Sequence, residues 1–382
     1  MDPLYIFYAI LAAFLVYGAK VYGRKQWNEE AFSLSQSKAL QGFFAVCILL
    51  HHAAQKTCAP WHPARYTVHG LDCFVPYGYL FVAVFFFCSG LGLFKSLKSR
   101  PDYLKGFVRR RILPVVIAFY VSEVIYTVIR LLMGQKIGLY DMIFYLFGIK
   151  LSNFNAWYAV IIPFFYCFFF LAFRYIKKDG LALLAVWGAV ILYTVGCALI
   201  DHNDYWLTGE WWYNSVWAFP AGMTFARFEK PLTAKIKKFW LILMPLMLAA
   251  LYFTVVFSVD AQNIWGYYGE DWGDKLKVAH RLLTCSSQWL AGFSFVSVLI
   301  LLSMKIHIGN RLLAFFGGIT LEFYLMHGIF VELFGYNFLD ILPSVSYIKS
   351  VPLYLIVLFA CSVPAALLLK LIMKPVNRAL KR

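Results

Sequence analysis

Long apolar runs separated by short polar stretches follow one another along almost the whole chain. They predict about eleven membrane-spanning helices, at residues 3–22, 39–55, 74–95, 112–133, 156–174, 181–200, 211–227, 239–259, 284–304, 312–335 and 350–373. In lipid such runs satisfy their backbone only as helices, so the chain reads as an all-α polytopic membrane protein. One run is patterned differently. Lys38 to His52, K-A-L-Q-G-F-F-A-V-C-I-L-L-H-H, is apolar in the middle, with Gln41 and Gly42 at one end and His51 and His52 at the other. Eleven residues separate Gln41 from His52. At ~100° per residue they share one helix face, about 16 Å apart along the axis, with His51 turned about 80–100° away. Gly42 falls beside Gln41, where another backbone or a ligand could come close.

Composition agrees. Of 382 residues, 62% are hydrophobic and 14% charged, against roughly 25% charged in a soluble domain. Aromatic residues at 19% suit interfacial belts and deep pockets. A net charge of +16 would suggest a nucleic-acid partner in a soluble protein. Assigned to alternate loops, however, 26 of the 35 Lys and Arg fall on one side, within 20–38, 95–111, 174–178, 227–238, 305–311 and 370–382. That bias predicts an outside N-terminus and a cytoplasmic C-terminus, and leaves no nucleic acid to expect. Leu4 to Val21 has no basic start and no clear small-residue cleavage site, so it reads as a retained helix. No internal repeat or linker divides the chain.

Chemistry-bearing residues are few. The loop at 56–73 holds Cys58, His62, His69 and Cys73, without HExxH or CxxC spacing, so no metal is expected. A Cys58–Cys73 disulfide there would pin the loop beside His52. Ser89-Gly90 and Gly92 near a helix end indicate either close helix packing or room for a ligand. Arg109 and Arg111, in Y-L-K-G-F-V-R-R-R-I-L-P, serve either as topology determinants or as bidentate phosphate holders. Glu123 inside an apolar helix is a functional candidate or a structural partner for a neighbour. Trp157 and Tyr158 would line an acceptor route or belong to an aromatic belt. Glu322 and His327 lie five positions apart, about 140° around one helix, and so face different neighbours.

These blocks, in this order, resemble the integral-membrane acyltransferase type 3 family. Q-G-x9-H at Gln41 to His52 resembles its first-helix signature, and A-V-F-F-F-C-S-G-L-G-L its F-F-x-x-S-G pattern. R-R-R-I-L-P resembles its R-x-R motif, N-A-W-Y at Asn155 to Tyr158 its W-F or W-Y block, and G-I-T-L-E-F-Y-L-M-H-G at Gly318 to Gly328 its late Y-L-x-H block. The resemblance runs from about residue 38 to 373. It implies an acyltransferase domain at 37–376, preceded at 1–36 by an additional helix and cytoplasmic loop. Two positions depart from the pattern. Gln41 stands where the family usually carries Arg or Lys, with Lys38 one turn earlier, and Ala83 stands where many members have Asp.

The resemblance implies transfer of an acyl group, commonly acetyl, from cytoplasmic acyl-CoA to an acceptor hydroxyl, often on an envelope or exported glycan. The setting would be a bacterial plasma membrane. Acyl-CoA would be a donor substrate, with no tightly bound cofactor. Lys38, Gln41, Ser89, Arg109 and Arg111 would hold the donor, where cations favour its polyanionic end. Trp157, Tyr158, Glu123 and His327 would face the acceptor. His52 suits proton abstraction or transient acyl carriage, and the residues leave both routes open. The rival readings are a secondary transporter or flippase, and a sensory or scaffold membrane domain. The missing repeat and the missing paired broken helices speak against a carrier.

Overall fold

The residues described by the computed structural model, 3–203, 207–266, 275–336 and 346–381, form thirteen α-helices and one two-stranded ribbon. The helices are α1 (Pro3–Val16), α2 (Leu34–Gln55), α3 (Gly78–Ser99), α4 (Leu113–Leu132), α5 (Leu139–Leu146), α6 (Trp157–Tyr175) and α7 (Asp179–Leu199). They continue with α8 (Ala218–Arg227), α9 (Glu229–Trp265), α10 (Lys277–Ser303), α11 (Arg311–Gly317), α12 (Thr320–Phe334) and α13 (Val351–Lys381). Each of the eleven apolar runs contains a helix. The run at 312–335 is broken, with α11 and α12 meeting at 81°. Among the described residues, seven helical segments are long and apolar enough to cross a membrane, and the bent pair makes an eighth. The protein is an all-α polytopic membrane protein.

Helix α2 falls outside that set although it has 22 residues. Its polar ends lower its hydropathy, and its surroundings explain why they are tolerated. Twelve of its residues are buried within the protein, so most of its surface meets other helices rather than lipid. Helix α9 is the opposite case: of its 37 residues only Ser258 and Ala261 are buried, and its apolar flanks suit lipid. Ser33 starts α2, its Oγ accepting from Gln36 N at 3.3 Å.

Two close crossings fix the helices around α2 and α3. A Cβ on Gly42 would strike the Leu313 carbonyl, and one on Gly317 the Lys38 carbonyl, so α2 and α11 touch through their backbones. Gly90 and Gly222 bring α3 against α8 in the same reciprocal way, through the carbonyls of Phe219 and Phe87. Gly42 and Gly90 therefore serve helix contact and leave no room for a ligand. Gly92 has open space beside it.

The N-terminal segment is tied to the connection between α10 and α11. Strand β1 (Lys20–Val21) pairs antiparallel with β2 (Ile306–His307). The buried Lys305 ammonium donates to the carbonyls of Gly23, Arg24 and Gln26 at 2.9, 2.9 and 2.7 Å and sits 3.6 Å over the Trp27 ring. Asn310 Nδ2 donates to Phe14 O at 2.9 Å. Ion pairs Lys95–Glu229, Lys98–Asp179 and Lys237–Glu29 join further loops at this pole. These are the lysine- and arginine-rich loops, which thus gather on one face. Cys58 and Cys73 are free thiols, so no disulfide pins the 56–73 loop. Tyr8 holds it instead, donating to Gly70 O at 2.5 Å, and His69 pairs with Asp72 at 2.6 Å.

Candidate active site

Because the polar ends of α2 are enclosed by neighbouring helices, each borders a cavity. At the histidine end a cavity of about 490 Å³ is lined by His51, His52 and Gln55, together with Asn155, Trp157 and Asn214. At the other end a cavity of about 420 Å³ is lined by Lys38, Gln41, Ser89, Arg100, Arg111 and Tyr166. Ile48, Val82 and Tyr324 line both. Leu34, Lys38, Gln41, Ile48, His52 and Gln55 of α2 border the two chambers and recur at helical spacing along one face. His51 borders the histidine one as well.

The three imidazoles cluster. His52 lies 5.1 Å from His51 and 5.2 Å from His327 between ring centroids. His52 Nδ1 stands 3.0 Å from Gln55 Oε1; with that nitrogen donating, the lone pair is left on Nε2. His51 Nδ1 donates to Phe74 O at 2.8 Å, and its Nε2 lies against Gly78, where any Cβ would collide with it. His327 Nδ1 donates to Phe323 O at 3.0 Å; the residue is buried and borders neither cavity. His327 Nε2 is likewise without a hydrogen-bond partner but faces no cavity, so His52 is the imidazole that borders the chamber without the close approach of Gly78 that His51 Nε2 meets.

A family model described as an acyltransferase domain matches residues 35–371. The chain belongs to the acyltransferase type 3 family. No curated protein and no solved structure matches it. As a membrane acyltransferase it needs a place for a donor and a place for an acceptor.

The acyltransferase brings most of the residues singled out in its sequence to these chambers. Lys38, Gln41, Ser89, Arg111 and Tyr158 border the cationic one, and His52 and Trp157 the histidine one. Ser89 Oγ is held 2.7 Å from Tyr166 OH. Arg111 Nε donates to Tyr103 OH at 3.1 Å, leaving its other donors for a ligand. Arg109 is exposed and borders neither chamber. The arginine run forms a π-helical turn at Val108–Ile112, which alters the register between the three guanidinium groups. Arg110 turns back onto the carbonyls of Tyr103 and Lys105.

Glu123 also lies outside both chambers. It is buried and accepts from Ser152 N at 2.6 Å and Asn153 N at 3.0 Å, while Asn153 Nδ2 reaches Leu325 O at 2.8 Å. Its carboxylate thus fixes the turn that delivers Asn155 and Trp157, a positioning role. Sequence reasoning missed Arg100, Gln55, Tyr324, Asn214, Gln262 and Asn263, all of which line a chamber. Gln55 was within reach of helical spacing, three residues after His52. Tyr324 stands inside the late block already noted. Asn214, Gln262 and Asn263 arrive from distant segments with no local signal.

Proposed function

We propose that this acyltransferase moves an acetyl group from cytoplasmic acetyl-CoA to a hydroxyl of an envelope or exported glycan, with His52 as the proton acceptor. One observation carries the reading: the two chambers at opposite ends of α2 share three lining residues, Ile48, Val82 and Tyr324, and Ile48 lies one turn below His52. In the cationic chamber Lys38, Arg100 and Arg111 are exposed at the mouth, where they suit the phosphates of CoA. In the histidine chamber Trp61, Trp157 and Trp211 offer ring faces, and Gln55, Asn155, Asn214, Gln262 and Asn263 offer amides for hydroxyl groups. Among the described residues no Asp, Glu, Lys or Arg lines it.

In the step itself the acceptor O–H gives its proton to His52 Nε2 and the oxygen bonds to the thioester carbonyl carbon. The C–S bond breaks, and the departing thiolate takes the proton from the imidazolium as CoA-SH. The arginine-rich pole is placed at the cytoplasm of a bacterial plasma membrane, with the N-terminus outside. Purified protein given acetyl-CoA and an oligosaccharide should release CoA thiol and acetylate the sugar. Translocation of a substrate with no thiol release would favour the carrier reading instead. An engineered cysteine at Lys235 should label only from the cytoplasm and one at Asn203 only from outside. Labelling of the Lys235 site by an impermeant reagent in intact cells would reverse the orientation.

A further inference from the structure

We infer that Ile48 and Val82 form a stop that limits the transferred group to acetyl length. The inference rests on the reading of the two chambers as donor and acceptor sites. Ile48, Val82 and Tyr324 line both chambers and are themselves 4%, 7% and 8% exposed, so these three buried side chains stand between the two chambers and any group passing from one to the other must pass them. Tyr324 is the fixed wall. Its hydroxyl accepts from Tyr158 N at 3.2 Å, and its ring stands 5.7 Å from that of Tyr158 and 6.0 Å from that of His327. The two remaining walls are β-branched and stiff at χ1, so neither turns aside at low cost.

Position along α2 makes this junction the acyl site. Ile48 precedes His52 by one turn on the same face, about 6 Å along the axis. CoA stays in the cationic chamber while the acceptor hydroxyl meets His52, so the thioester carbonyl must lie level with Ile48 and Val82. During transfer the acyl carbon exchanges a C–S for a C–O bond and the chain beyond it crosses unchanged. Bond making is therefore blind to chain length, and the walls alone sense it. An acetyl methyl ends within the junction. Each further carbon must press on Ile48 and Val82 or take up acceptor space in the histidine chamber. One methylene in a fitted apolar site is worth ~10–200-fold in discrimination.

The test is competition between acetyl-CoA and butyryl-CoA, read as the ratio of their kcat/KM values for thiol release with the acceptor present. Wild type should favour acetyl-CoA. Ile48→Ala and Val82→Ala should raise the butyryl-to-acetyl ratio by about 10–200-fold, following the same methylene scale. The milder Ile48→Val should shift it the same way by less, and Val82→Ile should lower the propionyl-to-acetyl ratio. A wild-type enzyme that uses both donors equally overturns the stop, as does an unchanged ratio in alanine variants that still transfer acetyl. If the alanine variants do not fold, Ile48→Val and Val82→Ile decide the matter by the same ratios, and donor preference unchanged in both overturns the stop. Absence of thiol release from any acyl-CoA by wild type would instead defeat the underlying assignment of donor and acceptor chambers.

Discussion

The two chambers differ little in size, about 490 and 420 Å³, and sharply in chemistry. One gathers three cations at its mouth and a serine–tyrosine pair deeper in. The other gathers imidazoles, carboxamides and indoles, with no formal charge among its described walls. Volume therefore does not sort ligands between them; charge does. On the proposed reading a polyanionic thioester would be drawn to one pole by fields that fall off within about 8 Å, roughly a Debye length at physiological salt. A neutral, hydroxyl-rich molecule would gain nothing from that field and would be held by hydrogen bonds and ring contacts at the other pole. Substitutions at the histidine end should thus act on turnover and those at the cationic end on donor affinity.

The sharpest test of that division is His52→Ala. It should lower kcat by roughly 10²–10⁴-fold, the usual worth of a general base, with donor binding retained. His51→Ala should keep turnover within about tenfold, because His51 is bonded to Phe74 O with Gly78 packed on its free nitrogen. Rapid-quench kinetics on both variants checks this, and an essential His51 beside a dispensable His52 would transfer the role of base. Next in size, Arg111→Ala should raise the donor KM about ten- to hundredfold, the loss of a charge-assisted contact of roughly 1.5–3 kcal/mol, with Lys restoring only part. Arg109→Ala should leave KM near wild type, since that side chain borders no chamber. Equal effects of the two arginines in donor titrations would argue for a ligand seated outside the chamber.

Glu123→Ala should unfold more easily by about 1–3 kcal/mol, because two buried backbone donors lose their acceptor. Turnover should fall with it, as the turn carrying Asn155 and Trp157 loosens, while donor affinity holds. Thermal melts in detergent alongside donor titration separate the two. The smallest effect is expected at the rim of the histidine pole. Lys277 and Arg281 hold the Asp201 carboxyl below the ordinary carboxylate range. A depressed carboxyl pKa stabilises the fold above the ordinary value near ~3.9 and loses that benefit as pH falls through the lowered one. Asp201→Asn should therefore melt slightly lower at neutral pH and converge with wild type in acid, as melts across a pH series will show.

Helix periodicity made α2 legible. The face predicted from Gln41 and His52 borders both chambers, and the same logic extends to Lys38, Ile48 and Gln55. The alternation of basic loops likewise marked the pole where Lys95, Lys98 and Lys237 find their partners. Periodicity fails where the helix is not regular. The π-turn at Val108–Ile112 chooses Arg111 over Arg109, and spacing alone has no means to see it. Helical spacing turns His51 off the functional face, yet it borders the histidine chamber because the 72–78 turn closes around it. Glu123 shows a further limit: an ionisable group in an apolar run signals a strong interaction without saying whether ligand or backbone receives it.

The lysine clasp at residue 305 also orders events during synthesis. The carbonyls of Gly23, Arg24 and Gln26 emerge early from the ribosome, and their shared donor is made only after α10. Until then α1 has neither its strand pairing nor the Asn310 bond to Phe14 to seat it. Tyr8 can tie α1 to Gly70 O early, but the segment that follows α1 is among the last to be fastened. A ribosome stalled before residue 305 would hold a chain whose residues 20–26 are still open to protease, and one stalled well beyond β2 would not.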